Sequence, residues 1–169
     1  WAVEPEVLKL YAKHYETREV IPDELITKIQ NQGTFNQGMT TELLAAALLD
    51  MELHNLTDTD NLMSLLLKKE TMDKLGLIPE IAPRYRATYF SHIIGGYAAG
   101  YYSYLWAEVL DTDAFEAFKE HGVFDKNTAD SFRKNILEKG GTEDPMTLYR
   151  GFRGADPSLE PLLKNRGLK

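Results

Sequence analysis

Four side chains in the stretch from Pro83 to Leu110, PRYRATYFSHIIGGYAAGYYSYLWAEVL, are equipped for chemistry: His92, Tyr97, Tyr101 and Tyr104. All are hydrogen-bond donors, and a phenol with a pKa near 10 keeps its proton at neutral pH. Such donors suit one recurrent task, the holding of a developing oxyanion and the fixing of substrate carbonyls or a carboxylate. One oxyanion donor is typically worth about 10²–10³ in rate, roughly 2.7–4 kcal/mol. Donors alone do not make an enzyme; a second partner must polarise the bond or deliver the nucleophile.

The elements that must position these groups follow from spacing. A helix starting near Tyr97 places Tyr97, Tyr101, Tyr104 and Glu108 at offsets 0, 4, 7 and 11, within roughly 60° of one another. Ala98, Tyr102, Leu105 and Val109 take another face, suited to packing. Gly95-Gly96 stands just before, with His92 before the glycines, and Gly100 falls inside the expected helix, where glycine costs about 1 kcal/mol relative to alanine. An aromatic stripe at helical spacing is ordinarily core. Buried tyrosine hydroxyls need partners, however, and a histidine and a double glycine lead into the same face. The combination reads as a pocket wall rich in donors.

The rest of the chain also reads as helix. Expected helices run from Glu6 to Thr17, from Pro22 to near Gly33, and from a cap at Thr40 or Thr41 through TELLAAALLDMELHNL, which is apolar almost all round. A fourth runs from caps in Thr57-Asp58-Thr59-Asp60 to Gly76, with Lys68-Lys69 on a solvated face. Asp111–Gly122, Asp125–Lys139 with Phe132, Ile136 and Leu137 on its apolar side, Asp144–Phe152 and a last turn in Pro157–Leu163 follow. Few residues favour strands, so the fold class is all-α.

Composition narrows the function. In 169 residues the net charge is −7, so no basic surplus exists to neutralise phosphates, and nucleic acid is not an expected partner. No apolar run reaches about 18 residues, so no membrane partner is expected either. There is no cysteine, which removes thiol nucleophiles and zinc–thiolate sites. The four histidines, His14, His54, His92 and His121, are far apart, and no HExxH is present. His14 and His54 read as core-edge residues, and His121 as a helix-end residue before Gly122. No GxSxG elbow, GxGxxG or Walker loop occurs.

The segment YFSHIIGGYAAGYYSYLWAEV resembles the signature of the thimet oligopeptidase and peptidyl-dipeptidase family of zinc metallopeptidases. KHYETREVIPDELITKIQNQGTFNQG, TELLAAALLDMELH and LYRGFRGADPSLEPLLKNRGLK extend the likeness over nearly the whole chain, towards the family's bacterial dipeptidyl carboxypeptidase branch. The resemblance implies an all-helical fold: the C-terminal portion of a zincin-like oligopeptidase catalytic domain, here a single segment spanning 1–169. It also implies a zinc-dependent peptidase that acts on short peptides and releases C-terminal dipeptides. Tyr104 matches the tyrosine that donates to the oxyanion, and His92 the histidine beside it that hydrogen-bonds the substrate backbone. Tyr97 follows the glycine pair Gly95-Gly96, which would hinge as Tyr97 closes on substrate. Tyr101 would be a substrate contact, to the peptide's C-terminal carboxylate. Arg150 and Arg153 read as structural ion-pair formers.

One departure is large. The family's two histidine ligands, its general-base glutamate and its third ligand precede this segment, and none is here. The start at Trp1 suggests a fragment. Zinc is therefore expected in the full-length enzyme and not on this chain's own residues, so the chain alone should be inactive. Expected partners are a peptide substrate, the missing N-terminal part and, through a face that part would cover, a second copy. The expected compartment is the cytoplasm, with the periplasm as the alternative. Two other readings stay open: a helical peptide- or ligand-binding module without catalysis, and a structural domain whose stripe packs on a partner helix. Hydroxyls lining an open groove would favour a site; hydroxyls sealed in a dry core would favour a scaffold.

Overall fold

A computed structural model of the chain describes residues 1–32, 37–57 and 71–169. Among these the regular structure is helical, apart from a single antiparallel bridge between Lys13 and Val20, and the chain is all-α. It divides into two compact units, residues 36–107 and residues 1–35 with 108–169.

The first-named unit carries the tyrosines and is built on α3 (Gln37–His54). Small residues set its geometry. Ala45, Ala46 and Ala47 are buried, and their short side chains let large rings approach the helix backbone. Ala46 and Ala47 pack with Phe90 and Tyr101, flanked by Leu43, Tyr85 and Ile93. Ala45 and Leu49 pack with Met72, flanked by Leu53 and Leu77. Helix α3 begins three residues before the expected threonine caps, so Thr40 and Thr41 lie inside it. Most of the expected fourth helix, with its caps and Lys68-Lys69, lies outside the described residues, as does Gly33. The fourth helix's expected stop is present: residues 71–74 are helical, and Gly76 turns the chain with a φ of 65°, a conformation that suits glycine. Two 3₁₀ turns follow, Ala87–Tyr89 and Ser91–Ile94.

The other unit contains α1 (Pro5–Tyr11) and α2 (Asp23–Asn31). Helix α4 (Ser103–His121) gives this unit its residues from Glu108 onward. Next come α5 (Lys126–Phe132), which runs into a π-turn at Arg133–Leu137, then α6 (Pro145–Arg153) and α7 (Glu160–Asn165). Helix α1 is shorter than expected. After it, His14 Nδ1 accepts the N–H groups of Glu16 and Thr17 at 3.3 and 3.2 Å, and Arg18 takes a φ of 62°, which folds the chain back to the bridge. The expected helix 125–139 is interrupted because the π-turn rotates its face and leaves Leu137 exposed. Asp125 and Asp144 cap α5 and α6 by accepting from Thr128 N and Thr147 N at 2.7 and 2.9 Å. Trp1 packs edge-on against Phe115 and Phe118, each at 4.5 Å, and its indole donates to Val123 O.

Arg150 and Arg153 form ion pairs as expected, Arg150 with Asp156 at 2.5 Å and Arg153 with Glu120 at 2.7 Å. Arg153 also lies 3.4 Å from buried Asp113, to which Tyr149 donates its hydroxyl at 2.5 Å. Burial first, and then the bond to Asp113, push the Tyr149 phenol well above its ordinary value. The folded state therefore holds this proton to higher pH than the unfolded chain does. Its contribution to stability is fully present below about pH 10 and is lost as pH rises through the raised value. Denaturation midpoints should thus fall on the alkaline side of about pH 10, and Tyr149→Phe should make that fall shallower. An unchanged slope in the variant would contradict the assignment.

Candidate active site

The tyrosine segment is not the helix that spacing suggests. Residues 95–102 form consecutive turns, and α4 begins only at Ser103. Ala99 adopts a φ of 53°, a left-handed conformation that no helix continues through. The cause lies in α3. Asp50, 0% exposed, accepts the Ala99 N–H on Oδ1 at 3.0 Å and the Tyr101 N–H on Oδ2 at 2.9 Å. His54, one turn along α3, faces the same carboxylate with Nδ1 2.9 Å from Oδ1. A buried carboxylate needs such partners, and the segment satisfies it by giving up helical hydrogen bonds.

The turns nevertheless gather the expected rings. His92 lies 5.8 Å from Tyr97, 5.2 Å from Tyr101 and 6.1 Å from Tyr104, measured between ring centroids. Tyr97 and Tyr104 stack at 5.2 Å with planes 13° apart, and Tyr101 meets Tyr104 at 5.2 Å. Tyr97 and Tyr104 are each 42% exposed, whereas Tyr101 is 2% exposed. His92 is half-buried, and its Nδ1 is enclosed without a hydrogen-bond partner.

The Tyr104 phenol is held above its ordinary range, first by its hydrogen bond with Tyr97 and then by desolvation. Tyr101 is raised as well, first by burial and then by its bond with Tyr85, against the lowering pull of Arg84. Arg84 Nη1 stands 3.5 Å from the Tyr101 hydroxyl, and its Nε stands 3.6 Å from Glu42.

The stripe is thus partly corrected. Tyr101 turns inward onto Phe90 at 5.0 Å and is 2% exposed instead of lining the surface beside Tyr97 and Tyr104. Glu108 pairs with Arg166 instead of joining the phenols, and Tyr102 is exposed instead of packed. Gly95 and Gly96 lie beside His92 at the surface, and neither has a positive φ. A β-carbon would come no nearer than 3.9 Å to a heavy atom at Gly95 and would meet nothing within 4 Å at Gly96. Gly100 falls among the turns and meets only ordinary contacts.

Three residues that spacing did not mark complete the cluster: Asp50, Arg84 and Tyr85, the last stacked on Phe90 at 4.5 Å. Arg84 and Tyr85 lie in the same stretch as the phenols but carry no spacing signal, and Asp50 stands out as a charge inside the apolar run LLAAALLDMEL.

Among the described residues, no group of three or more histidine, aspartate or glutamate side chains could hold a metal ion. The enclosed His92 Nδ1 is no exception, since the rings around it are Tyr85, Phe90, Tyr97, Tyr101 and Tyr104. The described residues therefore do not fit a zinc centre. No described helix is long and apolar enough to cross a membrane.

A profile described as Peptidase family M3 matches residues 1–168. The chain is 44% identical to dipeptidyl carboxypeptidase of Escherichia coli K12, over 99% of this chain and 25% of that protein. It is 41% identical to oligopeptidase A of the same bacterium, over 100% of this chain and 25% of that protein. Saccharolysin of Saccharomyces cerevisiae is 30% identical, over 100% of this chain and 24% of its own length. The chain thus spans about a quarter of the length of the curated relatives it matches.

Proposed function

This chain belongs to peptidase family M3, and we propose that it forms the substrate-binding and oxyanion-stabilising part of a zinc-dependent metallopeptidase that trims C-terminal dipeptides from short peptides. The observation that carries the proposal is the pairing of exposed Tyr104 with half-buried His92, 6.1 Å apart on one cluster. Zinc, held by residues outside this chain, would supply the activated water and polarise the scissile carbonyl.

The chain's own groups do the rest. Tyr104 donates its hydroxyl to the oxygen that becomes negative, since a phenol keeps its proton at neutral pH. His92 hydrogen-bonds the peptide backbone alongside. Tyr97, stacked on Tyr104, closes over the substrate as Gly95 and Gly96 move. Gly96 has no positive φ and nothing within 4 Å of its β-carbon position, which supports a role for it in another conformation.

The test uses the complete enzyme and an N-blocked oligopeptide, with products identified by mass spectrometry. C-terminal dipeptides are expected, with activity lost on zinc removal and restored on its return, and residues 1–169 alone should cleave nothing. Cleavage by the isolated chain would overturn the division of labour, and release of internal fragments would replace dipeptide trimming with endopeptidase action. In the same assay, Gly95→Ala with Gly96→Ala should leave the unfolding midpoint unchanged and lower kcat on the order of tenfold. Full activity in that double variant would remove the hinge.

A further inference from the structure

We propose that Asp50 is a positioning residue for the Tyr104 and His92 donors, acting through the backbone of residues 95–102 without touching substrate; the inference rests on the site reading above. Asp50 is a fully buried carboxylate on a helix otherwise lined with alanine and leucine at that depth. Such a charge is costly unless every lone pair is used. Its oxygens take the N–H groups of Ala99 and Tyr101, with His54 as the further partner.

The other described backbone hydrogen bonds of the segment are local. Gly95 N and Tyr97 N reach His92 O, Ala98 N reaches Gly95 O, and Gly100 N reaches Tyr97 O. Among the described backbone hydrogen bonds of the segment, those to Asp50 are the ones that tie it to α3. They fall on either side of Gly100, where the left-handed Ala99 reverses the chain between His92 and Tyr104. Paired N–H groups in such a turn form a concave anion-binding nest. Here the nest is filled by the protein's own carboxylate, which fixes the turn and so sets the spacing of the donors at its two ends.

The test compares Asp50→Asn, Tyr104→Phe and the double variant in the complete zinc-loaded enzyme. Asparagine keeps the volume and one acceptor oxygen but turns an NH₂ towards one of the two N–H groups. In Asp50→Asn, kcat and affinity for a phosphinic peptide analogue of the tetrahedral intermediate should fall together, on the order of 10²-fold, since small misplacements of catalytic groups have effects of that size. KM should change little, and the double variant should lose well short of the sum of the two single losses, the remainder reporting on His92. Amide exchange at Ala99 and Tyr101 should quicken in the folded variant.

Unchanged kcat and analogue affinity, or losses that add in full, would reduce Asp50 to a stabilising residue and overturn the inference. A Tyr104→Phe enzyme with full activity would instead remove the donor reading, and the inference with it. Should Asp50→Asn fail to fold, Ala99→Val strains the same turn from the loop side and leaves α3 intact. It should reproduce the joint loss of kcat and analogue affinity, and unchanged values would overturn the proposal.

Discussion

Tyr104→Phe in the complete enzyme should lower kcat about 10²–10³-fold, a loss of roughly 2.7–4 kcal/mol of transition-state stabilisation, with KM nearly unchanged. The substitution removes one oxygen from a ring that is 42% exposed and stacked on Tyr97. Phenylalanine keeps the stacking, so folding stability should move by no more than about 0.5 kcal/mol. The effect should therefore appear in chemistry and not in structure. Its pH dependence follows from what surrounds the phenol. The bond with Tyr97, desolvation, and the nearby phenols Tyr101 and Tyr85 all resist ionisation. Tyr104 should thus remain a donor beyond about pH 10, and an alkaline limb below that value belongs to another group. A loss smaller than about tenfold would show that the hydroxyl is not aimed at developing charge.

The second large effect is on stability. Asp50→Ala should destabilise the unit formed by residues 36–107 by about 2–4 kcal/mol, read as a shift in the chemical-denaturation midpoint. Two N–H groups, of Ala99 and Tyr101, lose their acceptor. Each buried donor left unmet costs about 1–3 kcal/mol. The gain from no longer burying a charge offsets part of this, which is why the lower half of the summed range is expected. Ala99 also loses what holds it at a φ of 53°, so the segment should relax towards the helix that its spacing favours. A stability change within about 0.5 kcal/mol, the scale of an ordinary surface substitution, would mean that the carboxylate is not what shapes the turns.

Asp50 also shows how far the sequence could be read. The helical class, the apolar character of α3 and the start of α6 at Asp144-Pro145 were visible because they depend on local patterns: periodicity, caps and proline. The gathering of His92, Tyr97, Tyr101 and Tyr104 was visible from their density in one stretch. Their arrangement was not. A 3.6-residue period carried Tyr97 and Tyr101 straight into α4, whereas a carboxylate about fifty residues earlier in the chain withdraws two N–H groups from that helix and starts it at Ser103. Tyr101 became interior for the same reason, since the turn swings its ring onto Phe90, Ala46 and Ala47. Helix α1 fell short for a local reason instead, the exposed turn in which His14 accepts the N–H groups of Glu16 and Thr17. Local pattern sets propensity, and buried polar groups far along the chain decide where it is overridden.

In the complete enzyme Tyr104 should face the oxygen on which charge develops, with His92 on the peptide backbone beside it. A crystal structure of the complete enzyme with a phosphinic peptide bound tests it most directly. The Tyr104 hydroxyl should stand about 2.7–3.1 Å from a phosphinate oxygen, the separation expected of an oxyanion donor, with the His92 imidazole hydrogen-bonded to the inhibitor backbone beside it. A phosphinate bound elsewhere, with the Tyr104 hydroxyl turned to solvent or to a neighbouring side chain, would contradict it.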